Sequence, residues 1–402
     1  MRALACLAGV LVCAGWATAR AEDATPNSEQ PRGLYVHAGV LMKDGKPYRG
    51  IGANYFDLFG RTLKNPADTS SRENLRALAK AHIPFVRFMC GGFWPADQKL
   101  YLQDREAYFQ RLDAIVKTAE ESGIGLIPSL FWHLPTVSDL AGEHLDELGN
   151  PESKSIAYIL RYTEEVVQRY RNSPAIWGWE FGNECNLGCD LPNATQHRPQ
   201  VVPQLGTPKE RTERDELKFS QLRIALAAFA GTARKLDPVR IIVSGNSVPR
   251  QSAYHNVTEK SWKPDTEEQF AEILLRDNPD PLNVICIHQY PEKNNAYAGG
   301  AKSIAELIGL ATKHAARAGK PLFIGEFGAE KRPAEKERAV FEEFLAAIGK
   351  HQVPLAAFWV FDLDSQKKDW NVSFQNERAY MIELVAQANA RIQARALDTT
   401  KP

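Results

Sequence analysis

The sequence predicts an α/β protein, a single (β/α)8 TIM barrel with long loops at the catalytic face. Short runs of β-branched and aromatic residues recur along the 402 residues, near 49–54, 84–89, 124–130, 175–181, 240–244, 283–288, 321–326 and 355–361. Amphipathic segments with helical periodicity separate them. No linker-like break interrupts the alternation, which favours one parallel barrel over several small domains.

Residues 1–21 read as a secretory signal. Arg2 is the charged start, Ala3 to Trp16 the apolar stretch, and Ala19-Arg20-Ala21 a small-x-small cleavage site. The apolar stretch is too short to span a bilayer comfortably. The expected location is secreted or periplasmic. Residues 22–32 follow as a flexible leader, and 33–395 as the barrel domain. Leu41 to Tyr48 predicts a hairpin turning at Asp44-Gly45, a small lid over the barrel bottom.

The helices follow in order. Ser70 and Glu73 stand at capping-box spacing. Tyr108, Leu112, Ile115, Val116 and Ala119 share one face of a helix stopped by Gly123. Ile156, Ile159, Leu160, Val167 and Tyr170 share a face of the next, which stops at Asn172-Ser-Pro174. A fourth runs from about Glu213 to Leu236. Others cover roughly 266–277, 302–318, 334–349 and 376–394. The segments 182–212 and 245–265 are unusually long loops, and long ordered loops in compact domains are often functional.

Composition narrows the function. Lys+Arg and Asp+Glu both number 49, so no charge excess draws the chain to nucleic acid or an anionic membrane. Of six cysteines, Cys90, Cys185, Cys189 and Cys286 would survive signal cleavage. An oxidising compartment permits disulfides. Cys185 and Cys189 are close enough to bridge within one loop, and free buried thiols are the equal alternative. No His or second Cys pair stands at zinc spacing, and neither a metal nor another cofactor is expected.

The chemistry rests on two strand-like runs that each end in a glutamate, Trp177 to Glu184 and Leu322 to Glu326. A carboxylate at the end of a buried strand is costly unless it is paired or used. Two such glutamates at matching ends form the acid and nucleophile-or-base pair that glycosidic cleavage needs. For either alone, an ordinary ion pair is an equal reading. Polar residues at other strand ends add to the pattern: Arg87, His133, Asn183, His288 and Tyr290, with Trp359 in the last strand. Arg87 and Tyr290 are candidate donors to Glu326, and apolar Trp177, Trp179 and Phe181 surround the strand that leads to Glu184. Trp94 and Trp132 lie beside active-face strand ends as candidate sugar platforms. Trp262 and Trp370 are weaker ones, since any single tryptophan is more often core or incidental surface.

With these residues the chain resembles glycoside hydrolase family 5, the cellulase and β-mannanase family of retaining enzymes. The likeness runs from Ile51-Gly-Ala-Asn54-Tyr55 to Phe358-Trp359. It implies Glu184 as acid/base, in Gly-Asn-Glu, and Glu326 as nucleophile, in Gly-Glu-Phe-Gly. It implies Arg87, Asn183, His288, Tyr290 and Trp359 as site residues. The chain departs from the family pattern at Cys185, directly after the acid. The implied partner is an oligo- or polysaccharide, a β-1,4-linked mannan or glucan with mannan slightly favoured. Three rivals remain at this level: an exo-acting or transglycosylating member, a barrel that binds sugar without cleaving it, and a metal-dependent hydrolase.

Overall fold

The computed structural model describes residues 32–291, 296–297 and 300–398. The signal segment and all of the leader but Arg32 lie outside them. Among the described residues, eight parallel strands form one sheet: β1 (Gly50–Asn54), β2 (Phe85–Met89), β3 (Gly125–Phe131), β4 (Gly178–Gly182), β5 (Ile241–Val243), β6 (Ile285–Gln289), β7 (Leu322–Phe327) and β8 (Leu355–Phe358). Their order is β5-β4-β3-β2-β1-β8-β7-β6, a barrel closed everywhere but between β5 and β6. That seam is stitched by Asn283, whose N–H donates to the Ile242 carbonyl and whose Oδ1 accepts from the Ile242 N–H. Every residue of these strands is buried, as strands covered on both faces require.

The N-terminal hairpin caps one end of the barrel. Leu34–His37, Val40–Lys43 and Lys46–Pro47 form an antiparallel sheet. Lys43 pairs with Lys46 across Asp44 and Gly45, both with positive φ, as a two-residue hairpin turn demands. Leu34 and Leu41 pack with Phe85, Ile127, Trp177 and Phe323 into a core separate from the helix layer.

The helices occupy the expected segments with shifted ends. The helix Ser70–Lys80 is preceded by Thr69, whose hydroxyl bonds Glu73 (2.7 Å), so Ser70 lies inside rather than at the cap. Arg105–Ser122 ends on Gly123 at φ +68°. In Lys154–Tyr170, Ile156, Ile159, Val167 and Tyr170 are buried, whereas Leu160 is exposed and leaves the predicted stripe. The fourth helix begins at Phe219, not Glu213. Residues 213–215 form a separate turn in which buried Asp215 accepts from the Thr212 N–H. Pro135–Ala141 and Ala253–Thr258 are additional short helices within loops.

The last helix, Tyr380–Asp398, ties the barrel wall. β1 pairs with β2 only at Ala53 and Asn54. At Ile51 the side chain of buried Asn389 accepts from the N–H (2.8 Å) and donates to the carbonyl (2.9 Å). Asn389→Ala would leave both backbone groups buried and unpaired. It should lower the free energy of unfolding by about 2 kcal/mol with little change in turnover per folded molecule. Unchanged denaturant midpoints would refute this role.

Candidate active site

The polar residues singled out in the sequence meet at the C-terminal ends of the strands, and Arg87 joins them. The Arg87 side chain on β2 is fully buried, and its N–H groups all find acceptors. Nε donates to both oxygens of Glu180 (2.8 and 3.0 Å). Nη1 donates to Asn54 Oδ1 (2.9 Å) and Glu326 Oε1 (2.8 Å). Nη2 donates to Asn183 Oδ1 (2.8 Å) and, at 3.5 Å, to the Gly182 carbonyl. Satisfying a buried guanidinium this fully is what makes burying it tolerable.

Glu326 on β7 receives a second donor, the Tyr290 hydroxyl at 2.6 Å. Burial, with the Glu326 charge beside it, pushes the Tyr290 phenol well above its ordinary value, so it stays protonated and donates. Glu184 follows β4 in a left-handed conformation, φ +50°, a backbone state that non-glycine residues rarely adopt. Its N–H bonds the Gly245 carbonyl (2.8 Å). Gly245 has φ +71°, and a Cβ there would lie 1.9 Å from the Gly182 oxygen, so no other residue fits. Burial raises the Glu184 carboxyl above its usual range, with Arg87, a Ser247 hydrogen bond and Arg250 pulling the other way. The Glu184 and Glu326 carboxylate oxygens and His288 Nδ1 all lie within 4.8 Å of one another.

His288 on β6 sits between the two glutamates, with Nδ1 at 3.2 Å from Glu184 and 3.6 Å from Glu326. Burial lowers it to about 4, so it is a neutral imidazole at working pH. Among the described residues its buried Nε2 has no hydrogen-bond partner. An unpaired N–H donor costs more than an unpaired lone pair, which places the proton on Nδ1, aimed at the carboxylates.

The aromatic candidates separate by burial. Trp359 and Trp132 stack at 6.0 Å, and Trp359 Nε1 donates to Gln366 (2.9 Å). Trp132 is 5% exposed and carries the Arg87 guanidinium over its ring at 4.3 Å. It is thus a buried support more than the loop platform expected. His133 stacks on Phe93 at 4.4 Å with Trp94 at its edge, and burial holds it at about 4. Trp370 packs edge-on against Tyr290 (5.1 Å), whereas Trp262 is half exposed.

A cavity of about 310 Å³ opens beside Glu184, lined by Trp94, Trp132, His133 and Asn183 on one side. His197, Arg198 and Gln200 from the long 182–212 loop form its other wall. A larger cavity of about 800 Å³, bordered by Phe56, Trp94 and Leu205, reaches neither glutamate.

The possible Cys185–Cys189 disulfide is absent: both are free, buried thiols. They lie on one short turn, Cys185–Gly188 and its cap. Cys185 Sγ points to the Asn183 carbonyl (3.6 Å) and Cys189 Sγ to the Cys185 carbonyl (3.4 Å), not to each other. Sequence reasoning also passed over Glu180 and Asn54 as site residues. Asn54 donates to the Gly325, Ala357 and Phe358 carbonyls while accepting from Arg87. A charged residue inside the apolar run Trp177–Phe181 was the signal for Glu180.

The family model described as Cellulase (glycosyl hydrolase family 5) matches residues 43–362. A probable mannan endo-1,4-beta-mannosidase C from Aspergillus terreus is 29% identical over 192 residues, 40% of this chain and 45% of that protein. A mannan endo-1,4-beta-mannosidase A from Podospora anserina is 35% identical over 102 residues, 22% of this chain and 26% of that protein. The matches thus span less than half of these curated relatives. The solved endo-1,4-beta-mannanase of Rhizomucor miehei superposes with a TM-score of 0.63 at 18% identity, over 89% of this chain and 99% of that one. At that identity it establishes the shared fold.

Two outcomes follow from the geometry. Tyr290→Phe removes a hydrogen bond to a charged group, about 1.5–3 kcal/mol. It should lower kcat/KM on a β-glycoside roughly 10- to 100-fold and move the acidic limb of the pH profile upward, because Glu326 loses a donor that favours its ionised form. An unmoved limb would count against that bond. His133 and His288 remain neutral in the native protein down to about pH 4, but take up protons near 6.5 once unfolded. The unfolded chain therefore binds more protons between these values, and stability should fall as pH drops through that window. Urea midpoints at pH 7, 5.5 and 4.5 test this, and His133→Gln should flatten part of the slope.

Proposed function

Because the chain belongs to glycosyl hydrolase family 5, we propose that it is a retaining β-1,4-glycanase acting on mannan. The observation that carries the mechanism is the spacing of the two glutamates. Carboxylate oxygens within 4.8 Å of one another suit direct attack on the sugar, whereas inverting enzymes hold their carboxyls about 6.5–9.5 Å apart to admit a water.

Each group then has a step. Glu184, whose protonated form burial favours, gives its proton to the glycosidic oxygen as the bond breaks. Glu326, held by Arg87 and Tyr290, attacks the anomeric carbon and forms a glycosyl ester. Glu184, now a carboxylate, takes a proton from water, which displaces Glu326 and regenerates both groups. Asn183 spends its carbonyl on Arg87, which leaves its amide NH2 to donate to a sugar hydroxyl next to the reacting carbon. The apolar face of the sugar stacks on Trp359. No step requires a metal, since Arg87 already supplies positive charge to Glu326.

Mannan is favoured over glucan by the names of the relatives matched in sequence and structure. The wall built by His197, Arg198 and Gln200 favours a second reading, exo action from a closed-off groove. The signal-like sequence of residues 1–21 supports export, and no helix among the described residues is long and apolar enough to cross a membrane.

Mannan, β-glucan and xylan are the polymers to compare, with product sizes and anomeric configuration followed by NMR. The expected outcome is mannan cleavage to a ladder of β-configured products. Release of single units would indicate exo action, and initial α products would rule out retention. Glu326→Ala should abolish turnover. Glu184→Ala should lose polymer hydrolysis but recover on an activated aryl glycoside when azide is added, since azide can replace the water that Glu184 activates. Equal turnover by wild type and Glu326→Ala would defeat the enzyme reading.

A further inference from the structure

The strongest unassigned group in the molecule is Glu180. It is a third carboxylate in the barrel, fully buried two residues before the end of β4. Both of its oxygens meet Arg87 Nε, at 2.8 and 3.0 Å. The backbone is shaped around it: a Cβ on Gly245 would lie 2.9 Å from the Glu180 carboxyl carbon. Glu180 touches neither of the two glutamates that flank the substrate, and the reaction above does not use it.

Resting on the retaining reading, we propose that Glu180 is a positioning residue that acts on Glu326 through Arg87. It has two effects. First, by occupying Nε it fixes the guanidinium plane, so that Nη1 reaches Asn54 and Glu326 while Nη2 reaches Asn183. Second, it shares the single positive charge of Arg87. Were Arg87 to face Glu326 alone, its whole field would fall on the nucleophile and make that carboxylate less basic. A less basic carboxylate attacks the anomeric carbon more slowly and leaves it more readily. Glu180 thus balances formation of the glycosyl-enzyme against its breakdown.

The other titratable groups around Glu326 do not duplicate this role. Tyr290 and Cys286 are held neutral by burial. His288 is neutral above about pH 4, and Glu184 is the acid itself. Among these groups Arg87 is the cation at Glu326, and Glu180 is its second counter-ion.

The test is Glu180→Gln, which keeps the size of the side chain and removes its charge. The acidic limb of kcat/KM on an aryl β-mannoside should move down by about one pH unit. Formation of the glycosyl-enzyme, read as kcat/KM, should fall about 10- to 100-fold. The kcat on a dinitrophenyl glycoside, where breakdown limits turnover, should hold or rise. The rate of trapping by a 2-deoxy-2-fluoroglycosyl fluoride, measured against pH, reports the same limb directly. A purely structural role would lower both constants together with the limb unmoved, and that result overturns the proposal.

Glu180→Asp keeps the charge but shortens its reach. It should keep the wild-type acidic limb while kcat/KM falls, and a limb displaced downward in this variant would also overturn the proposal. Wild type that neither turns over nor traps the fluoroglycoside fails the glycosidase reading itself. Wild-type turnover with an unmoved limb in Glu180→Gln fails this inference alone.

Discussion

One buried guanidinium organises the catalytic end of this barrel. Arg87 reaches groups on β1, β4 and β7 and lies over Trp132 after β3. A charge in that position is tolerable only when every N–H is answered, so the positions of Asn54, Glu180, Asn183 and Glu326 depend on one another. The consequence reaches beyond electrostatics. Asn183 turns its carbonyl toward Arg87 and its amide away, and Glu326 is held by Nη1 on one oxygen and Tyr290 on the other. The carboxylate proposed as nucleophile is thus placed before substrate arrives, which would lower the reorganisation needed in the transition state.

The two glutamates are made different by their surroundings. Glu326 meets a cation and a phenol. Glu184 stands in a strained left-handed turn, and burial favours its protonated form. In the proposed mechanism the same residue type thereby serves as nucleophile at one strand end and acid at another. His288 contributes as a neutral donor between them, because burial removes its charge without removing its N–H.

Much of the fold was legible because its signals are local. Eight apolar runs, Gly123 at a helix end and Asp44-Gly45 in a turn each follow from short-range backbone preferences. The ends were less legible. The helix after the long loop starts at Phe219 rather than Glu213, because Asp215 is drawn into a cap with Thr212. Leu160 left the buried stripe because periodicity cannot tell the edge of a face from its centre. Trp132 read as a candidate sugar platform and lines the cavity beside Glu184, but its place under Arg87, a contact between residues 45 apart in sequence, was not legible.

By itself the sequence determined the barrel, its order of strands and the strand ends that carry polar side chains, since strand alternation and glycine or asparagine punctuation act over a few residues. It also marked the glutamate pair, because a carboxylate at the end of a buried run stands out against its neighbours. Only the tertiary structure decided which partners those carboxylates have. Glu180 lies in the same run as Glu184 and looks equally charged on the page, but alternation turns it to Arg87 inside the barrel. Cys185 and Cys189 are close enough in sequence to bridge, but the turn aims each sulfur at a backbone carbonyl. The reason is the same in both cases: proximity along a chain sets what can be near, while the direction of each Cα–Cβ bond in the folded barrel sets what is met.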